Sequence, residues 1–499
     1  MATEKASFYV PKPDPKYSVL KNPIGVDVDT SKLSTRIVNP STALQLATET
    51  AVASGATTTI QHLLGQQIDF DFSVSGSKNI DWDNSVVEFR DKFAYYKNAD
   101  TAISKVNPEL AVVPWNLTWT KFESVNLSLN NTTVFDKNTS EYTYTQTCRA
   151  IMEYSKEQLE ACSAIYGPVG DEEYHAGIGS PTALAIATDQ NSMLRNDNWL
   201  TDPYGQEVVK SVKFKDLFFS IPGLSQNLRN IKMSFKFKSK IPLAYVSSAF
   251  NLATDNCGVF PQSVRIILHE YAFAPSTASV GLSEKMANTL ENIAYVDVET
   301  KKVPYSSDIT ISNQRNIQYL MVAQFCDEVD NNVASSSSYY RNPSQTMLLN
   351  GYSATTVSAS TILKRSDKKN TTACCSPPSS IQAEIGGIVY PSNAITLANA
   401  GSNSLINHAD LYNEYRKACG KQQPAIDENI FKRTMPFFCV KAMPNNKLIQ
   451  SSDITIRLPW SPSTVTTGTS AAQLRVLWGR LRGYTIAASG VVSEAISSY

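Results

Sequence analysis

Charge is scarce in this chain. Asp, Glu, Lys and Arg make up 18% of its 499 residues, against a usual fraction of ~25%. The 45 cationic and 45 anionic side chains cancel, which excludes a generic polyanion binder and leaves only local basic patches for such work. Histidine is nearly missing, with four in all. The eight cysteines (Cys148, Cys162, Cys257, Cys326, Cys374, Cys375, Cys419, Cys439) form no CxxC pair. Neither a zinc site nor a secreted disulfide framework is therefore expected. Cys439, inside Pro436-Phe437-Phe438-Cys439-Val440, reads as a small buried hydrophobe. No run approaches the ~18 apolar residues that span a bilayer. The opening Met1-Ala2-Thr3-Glu4-Lys5 has no apolar stretch of a secretory signal. GxSxG, HExxH, a Walker loop and a GxGxxG between strand and helix are also absent, so no enzyme is expected from these signatures.

What is present reads as β-structure. Residues 1–40 carry Pro11, Pro13, Pro15, Pro23 and Pro40, each removing a backbone donor and extending the residue before it. Six basic residues there meet four acids, far from an RNA-packaging arm, and an extended arm over 1–60 is predicted. Residues 42–65, rich in Ala and Thr, predict one weak helix ending near Gly65. Beyond it, runs dense in Val, Ile, Phe, Tyr, Trp and Thr alternate with clusters of Asn, Ser, Pro and Gly. Val125–Leu129, Met233–Phe237 and Ile454–Leu458 alternate strictly, so one face is buried and the other is not. Helical periodicity is confined to 142–160, with Met152, Leu159 and Cys162 on one side, and to 406–418.

The same five-part phrase occurs twice. Ser124–Asn131 ends an alternating strand in an Asn pair, and Ser380–Gly387 ends one in a Gly pair; both suit the positive φ of a tight hairpin turn. Tyr142–Ala150 and Leu411–Cys419 are tyrosine-bearing helical segments. Phe218-Phe219 pairs with Phe437-Phe438, Ile231–Phe237 with Ile454–Leu458, and Val264–Leu268 with Leu474–Trp478. The offsets run from about 210 to about 270 residues, differences that loop insertions produce. The reading is two copies of one β-domain, at 61–280 and 281–499, with the joint near 275–300 after Ala274-Pro275-Ser276-Thr277.

The run Val113–Asn131, which carries an Asn-containing turn, an apolar strand and an Asn pair before the tyrosine-rich helix, resembles a segment of double jelly-roll major capsid proteins. Gly387–Ser392 followed by Asp410–Tyr415, and Met435–Val440 before the strand at 454–458, resemble the same pattern. Polinton-like viruses, virophages and adenovirus-lineage capsids are the nearest likeness, over roughly 85–499. The polar stretch 331–380, with Ser335–Ser338, Cys374-Cys375 and Pro377-Pro378, has no counterpart in that pattern. The resemblance implies an all-β fold of two tandem eight-stranded jelly-roll barrels with short inserted helices and an extended N-terminal arm. It implies a virion protein that forms homotrimers, each a pseudo-hexagonal capsomer tiling an icosahedral shell around double-stranded DNA. Its partners would be copies of itself, neighbouring capsomers, penton and cement proteins. No sequence-specific nucleic acid is implied, and any internal membrane would be touched only indirectly. The arm would lie along a neighbour or on the inner face, and 163–210 and 327–380 would be outer loops.

Other chemistry is thin. Gly177-Ile178-Gly179 lacks the third glycine of a phosphate cradle, and Asp171-Glu172-Glu173 beside His175 reads as a solvated loop. Asp327-Glu328-Asp330-Asn331-Asn332 lacks the glycine and terminal glutamate of a calcium loop. His62 and His269 read as packed or surface residues rather than ligands. Sequons at Asn116, Asn126, Asn130, Asn131, Asn138 and Asn370 fall largely on strands, which leaves Asn370 as the one suited to glycosylation. No catalytic, cofactor or metal residue is predicted. The rival reading is a carbohydrate-binding or carbohydrate-active tandem β-sandwich. Its enzyme form would need two carboxylates ~5 to 9.5 Å apart, and the acids do not recur at matched places in the two copies.

Overall fold

The computed structural model describes residues 28–97, 111–166, 206–246, 255–273, 291–326, 379–397, 407–442, 452–459 and 472–494, with short breaks inside several of these spans. The first half supplies β1 (Val28–Val38), β2 (Ala47–Ala53), β3 (Ala56–His62), β4 (Gln67–Ser73), β5 (Asn79–Ile80), β6 (Val86–Lys97) and β7 (Ala111–Val112). It continues through β8 (Phe122–Leu129), β9 (Thr132–Lys137), β10 (Gln206–Lys213), β11 (Asn230–Phe237), β12 (Tyr245–Val246) and β13 (Asp255–Phe273). One sheet runs β1-β13-β6-β10, and the facing sheet runs β4-β11-β8-β9. With these eight strands counted in chain order, the sheets read first-eighth-third-sixth and second-seventh-fourth-fifth. That is the double Greek key of a jelly roll.

The second half repeats it. Here the strands are β14 (Glu291–Val303), β15 (Asp308–Gln314), β16 (Ile317–Cys326), β17 (Ser380–Ile385), β18 (Ile388–Thr396), β19 (Phe438–Lys441), β20 (Ser452–Arg457), β21 (Ala472–Ile486) and β22 (Val492–Glu494). The sheets are β14-β21-β16-β19, extended by β22, and β15-β20-β17-β18. The order is again first-eighth-third-sixth and second-seventh-fourth-fifth. The fold is a double jelly roll.

Period-two alternation drives each barrel shut. On β4 and β11 the inward residues are Ile68, Phe70 and Phe72, and Ile231, Met233, Phe235 and Phe237, all buried. Antiparallel register sets Phe70 opposite Met233 and Ile68 opposite Phe235, so a slip of one residue would turn the whole apolar row outward. The matched sheet of the second barrel does this with Ile309, Ile311, Ile454, Ile456, Ala383 and Ile385. The hairpins closing β8–β9 and β17–β18 turn through Asn130-Asn131 (φ 47° and 68°) and Gly386-Gly387 (φ 59° and 81°). These are the two consecutive left-handed residues that the sequence pairs call for.

Helices fill the connections: α1 (Leu117–Thr120), α2 (Glu141–Glu153), α3 (Lys156–Glu160), α4 (Phe214–Leu217) and α5 (His408–Cys419). The helix expected over 142–160 breaks at Tyr154. There Ser155 caps a new helix, accepting from the Gln158 backbone N–H while the Gln158 side chain accepts from the Ser155 N–H.

Three expectations are corrected. Residues 42–65 do not form a helix; β2 and β3 pair as a hairpin, since Thr and Val favour strands once a partner strand is present. Within the span expected as an arm, β1 is an integral strand of the first sheet, paired to β13 from Val28↔Phe273 to Val38↔Ile266. Residues 1–27 lie outside the described residues. Phe218-Phe219 and Phe437-Phe438 are not equivalent: the first pair follows the sixth strand of its barrel, whereas Phe438 begins the sixth strand of the other. The remaining four repeat elements occupy matching positions.

Candidate functional site: the seam between the two barrels

The sequence offers α2 as a tyrosine-rich helix with threonines throughout, and the structure buries it on every side. Tyr142 through Met152 are all buried, the signature of a helix enclosed by protein rather than lying on a surface. It connects β9 toward β10 in the first barrel, yet one of its faces belongs to the second.

The face toward the first barrel is fixed by hydrogen bonds to one short segment. The Tyr142 hydroxyl donates to the Leu217 carbonyl at 2.7 Å, and Arg149 donates to Lys215 at 2.8 Å. From the barrel interior, Trp119 Nε1 donates to the Asp216 carbonyl at 3.0 Å and Trp82 Nε1 to Phe219 at 2.8 Å. The Asp216 carboxylate accepts from the Tyr154 hydroxyl and from the Ser163 hydroxyl and backbone N–H. The buried indole and phenol donors and the turn's backbone carbonyls therefore satisfy one another.

Tyr144, Cys148 and Met152, spaced i, i+4 and i+8, form the opposite stripe. The Arg475 guanidinium of β21 stacks 3.8 Å from the centre of the Tyr144 ring. Met152 Sδ lies 3.4 Å from Cys439 Sγ on β19. The Tyr415 hydroxyl of α5 donates to the Ile151 carbonyl at 2.9 Å, so the two tyrosine-bearing helices of the repeat meet here. Burial pushes the thiols of Cys148 and Cys439 well above their ordinary range, so both are protonated packing groups. Glu153 closes the helix. Burial pushes its carboxyl up to about 7, against the opposing pull of Arg149, Lys421 and the Tyr319 hydroxyl.

A second set of contacts lies along β9 and β14. Phe219 and Tyr295 stack with centres 4.0 Å apart, nearly parallel, and Tyr484 stacks behind Tyr295. The Tyr295 hydroxyl donates to the Val134 carbonyl. Lys137 pairs with Asp297 at 2.6 Å and donates to the Val298 carbonyl, with Arg482 on the other carboxylate oxygen of Asp297. A buried pair held this way costs little beyond its desolvation, but losing one member would strand the other. At the far end, Asn130 Nδ2 donates to the Gly490 carbonyl and Thr132 Oγ1 to Val492.

The outer faces of the two matched sheets differ as a result. In the second barrel, β16 is buried on both sides from Tyr319 to Ala323, and Gly479 of β21 lets the Tyr319 ring approach where a Cβ would sit 2.5 Å away. In the first barrel the outer face is half-open and charged. It carries the Arg265–Glu88 and Arg90–Glu207 pairs, with Ile37 (54% exposed) and Val209 (52%) on its two edge strands.

Among the described residues no group of three or more His, Cys, Asp or Glu could hold a metal, and no helix is long and apolar enough to cross a membrane. His62 is buried beside Phe260 and accepts from the Leu64 N–H; His269 sits on β13 near Thr35. Asn116 is buried against Thr147, and Asn130 spends its side chain on Arg229, Asn230 and Gly490, so neither is open to a glycan. Asn126 is half-buried on β8; Asn131 and Asn138 are exposed. The Asp171–His175 cluster, Gly177–Gly179, Asp327–Asn332, Asn370 and the Cys374-Cys375 pair lie outside the described residues. Trp82, Trp115, Trp119 and Phe89 are wholly buried, so these rings fill cores rather than line a sugar cleft. The seam itself was missed from sequence; its signal was the run of Thr and Tyr in α2, too polar for one barrel's surface stripe and too aromatic for a solvated helix.

No protein-family model matches the chain, and no curated protein sequence matches it. Solved structures do. A chain in the 3.5 Å cryo-EM structure of the Sputnik virophage aligns over 95% of this chain and 90% of its own, at a TM-score of 0.54 and 7% identity. The likeness is one of fold. The mavirus major capsid protein aligns over 95% and 92% at a TM-score of 0.47 and 10% identity. PBCV-1 VP54, fitted into a Sputnik reconstruction, aligns over 93% and 96% at 0.46 and 10%.

Proposed function

We propose that this protein is the major capsid protein of an icosahedral double-stranded DNA virus, located in the virion shell, and that it is not an enzyme. The observation that carries the reading is the pair of barrels with one strand order, clamped by α2 into a single body, in a fold shared with a virophage particle. Two similar barrels in each of three chains present six similar corners, so one tile can pave a flat facet with near-sixfold contacts. We place the division between the barrels in the linker from Phe273 to Glu291.

The seam inside the chain then has a counterpart between chains. Within a chain, α2 of the first barrel covers the outer face of the second. In a trimer, the equivalent neighbour of the first barrel's half-open sheet is the second barrel of the next chain. That sheet is charged and α5 exposes Asp410, Asn413, Arg416 and Lys417, so the contact between chains is more polar than the contact within one. Such a division keeps a free protomer dissolved until it assembles. Copies of itself, neighbouring tiles, penton and cement proteins are its partners in this reading.

Light scattering on the purified chain, with negative-stain imaging, tests it. Three chains of 54.8 kDa should scatter as about 164 kDa and appear as triangular or hexagonal tiles. A monomer that persists at micromolar concentration would sink the reading.

A further inference from the structure

Inside the first barrel, Lys121 and Asp91 face each other with neither side chain exposed at all. Asp91 stands on β6 of one sheet; Lys121 follows α1 at the entry to β8 of the other. The Lys121 ammonium touches Asp91 Oδ2 and is otherwise surrounded by rings, 5.1 Å from the centre of Phe89 and 5.6 Å from that of Tyr166. The Tyr166 hydroxyl donates to the same Oδ2 at 3.3 Å. Asp91 Oδ1 has no hydrogen-bond partner among the described residues.

As an ion pair this arrangement is poorly provided for. An ammonium has three donors and a carboxylate about four acceptor sites; here one acceptor atom serves the cation, and one carboxylate oxygen is bare. Buried charges are retained when their remaining hydrogen bonds are made. An amide in the same place needs only one donor and one acceptor satisfied. Tyr166 already points at the oxygen that would be its carbonyl.

We propose that Lys121 and Asp91 condense into an intramolecular isopeptide bond that staples the two sheets of the first barrel. In the reacting step one ammonium proton is carried to Oδ1, so that an amine faces a carboxylic acid whose Oδ2 is the carbonyl oxygen. Desolvation lowers the Lys121 ammonium below the usual lysine range, against the pull of Asp91, and burial keeps the Tyr166 phenol protonated as a donor. The Nζ lone pair attacks Cγ while Tyr166 steadies the charge developing on Oδ2. A second amine proton moves to the Oδ1 hydroxyl, the C–Oδ1 bond breaks, and one water leaves. One C–N bond forms, and no oxidant or cofactor is required.

Intact-mass spectrometry of the folded full chain tests this. The expected result is a mass lower than the sequence by one water, and a tryptic digest holding a branched peptide that joins the Asp91 and Lys121 segments. Tyr166→Phe keeps the ring and removes the donor. Bond formation in freshly synthesised chain, followed by mass over time, should then slow by about 10²- to 10³-fold, the scale of losing one oxyanion donor. The double variant Lys121→Met, Asp91→Leu should keep its full sequence mass. A folded wild-type chain that holds its full sequence mass after prolonged incubation overturns the proposal, whatever the variants do.

Discussion

The two barrels share one strand order and differ in what fills and covers them. One sheet of the first closes on Phe70, Phe122, Phe235 and Phe237, with Phe122 and Phe237 centres 5.0 Å apart; the matched sheet of the second closes on aliphatic residues such as Ile309, Ile311, Ile454, Ile456 and Leu458. Residues of β6 alternate between buried and open from Val86 to Phe93, whereas β16 is buried on every residue from Tyr319 to Ala323. The strand order therefore depends on where apolar residues fall rather than on which they are. Burial on the outer face reports the neighbour, in this case α2.

That contrast can be broken on purpose. Met152→Ala on the covered side should destabilise the chain by about 2–5 kcal/mol, as truncating a buried methionine does. Val209→Ala on the open side should cost under ~0.5 kcal/mol, and urea unfolding of the two variants measures the difference. Equal losses would mean that the two faces are equally enclosed. Gly479→Ala should cost about 1–3 kcal/mol by forcing Tyr319 and Val296 aside, read as a lowered Tm. The smallest effect sharpens the picture of the helix end. The native Glu153 carboxyl holds its proton to about 7, higher than in the unfolded chain. Its contribution is therefore fullest at acidic pH and is lost as pH climbs through that value. Glu153→Gln should be more stable than the natural chain by about 1 kcal/mol near pH 8, a figure reduced for the residue's partial exposure. Melting curves at two pH values should show the gap closing near pH 5.

Much of this architecture is legible in the sequence. Strict alternation at Val125–Leu129, Met233–Phe237 and Ile454–Leu458 falls on β8, β11 and β20, and the Asn and Gly pairs fall on the β8–β9 and β17–β18 turns. These signals are local, and local signals survive without tertiary context. The misses are positions where a distant partner decides. β1 looks like an arm because its mate, β13, is more than two hundred residues away. The Ala- and Thr-rich stretch reads as a helix until its two halves pair. Phe218-Phe219 resembles Phe437-Phe438 by composition alone, since one pair lines the α2 seam and the other opens a strand. The seam itself could not be read from periodicity, because α2 has no exposed face to contrast with a buried one.

The clasp of Asn130 and Thr132 on Gly490 and Val492 has a consequence for synthesis on the ribosome. The first barrel's turn is not fully dressed until Gly490 and Val492, some 360 residues further on, have emerged. A product stopped before β19 and β21 would leave the far stripe of α2 bare and sticky, an easy mark for proteolytic disposal. The clasp would thus tie the finish of the first barrel to the making of the second.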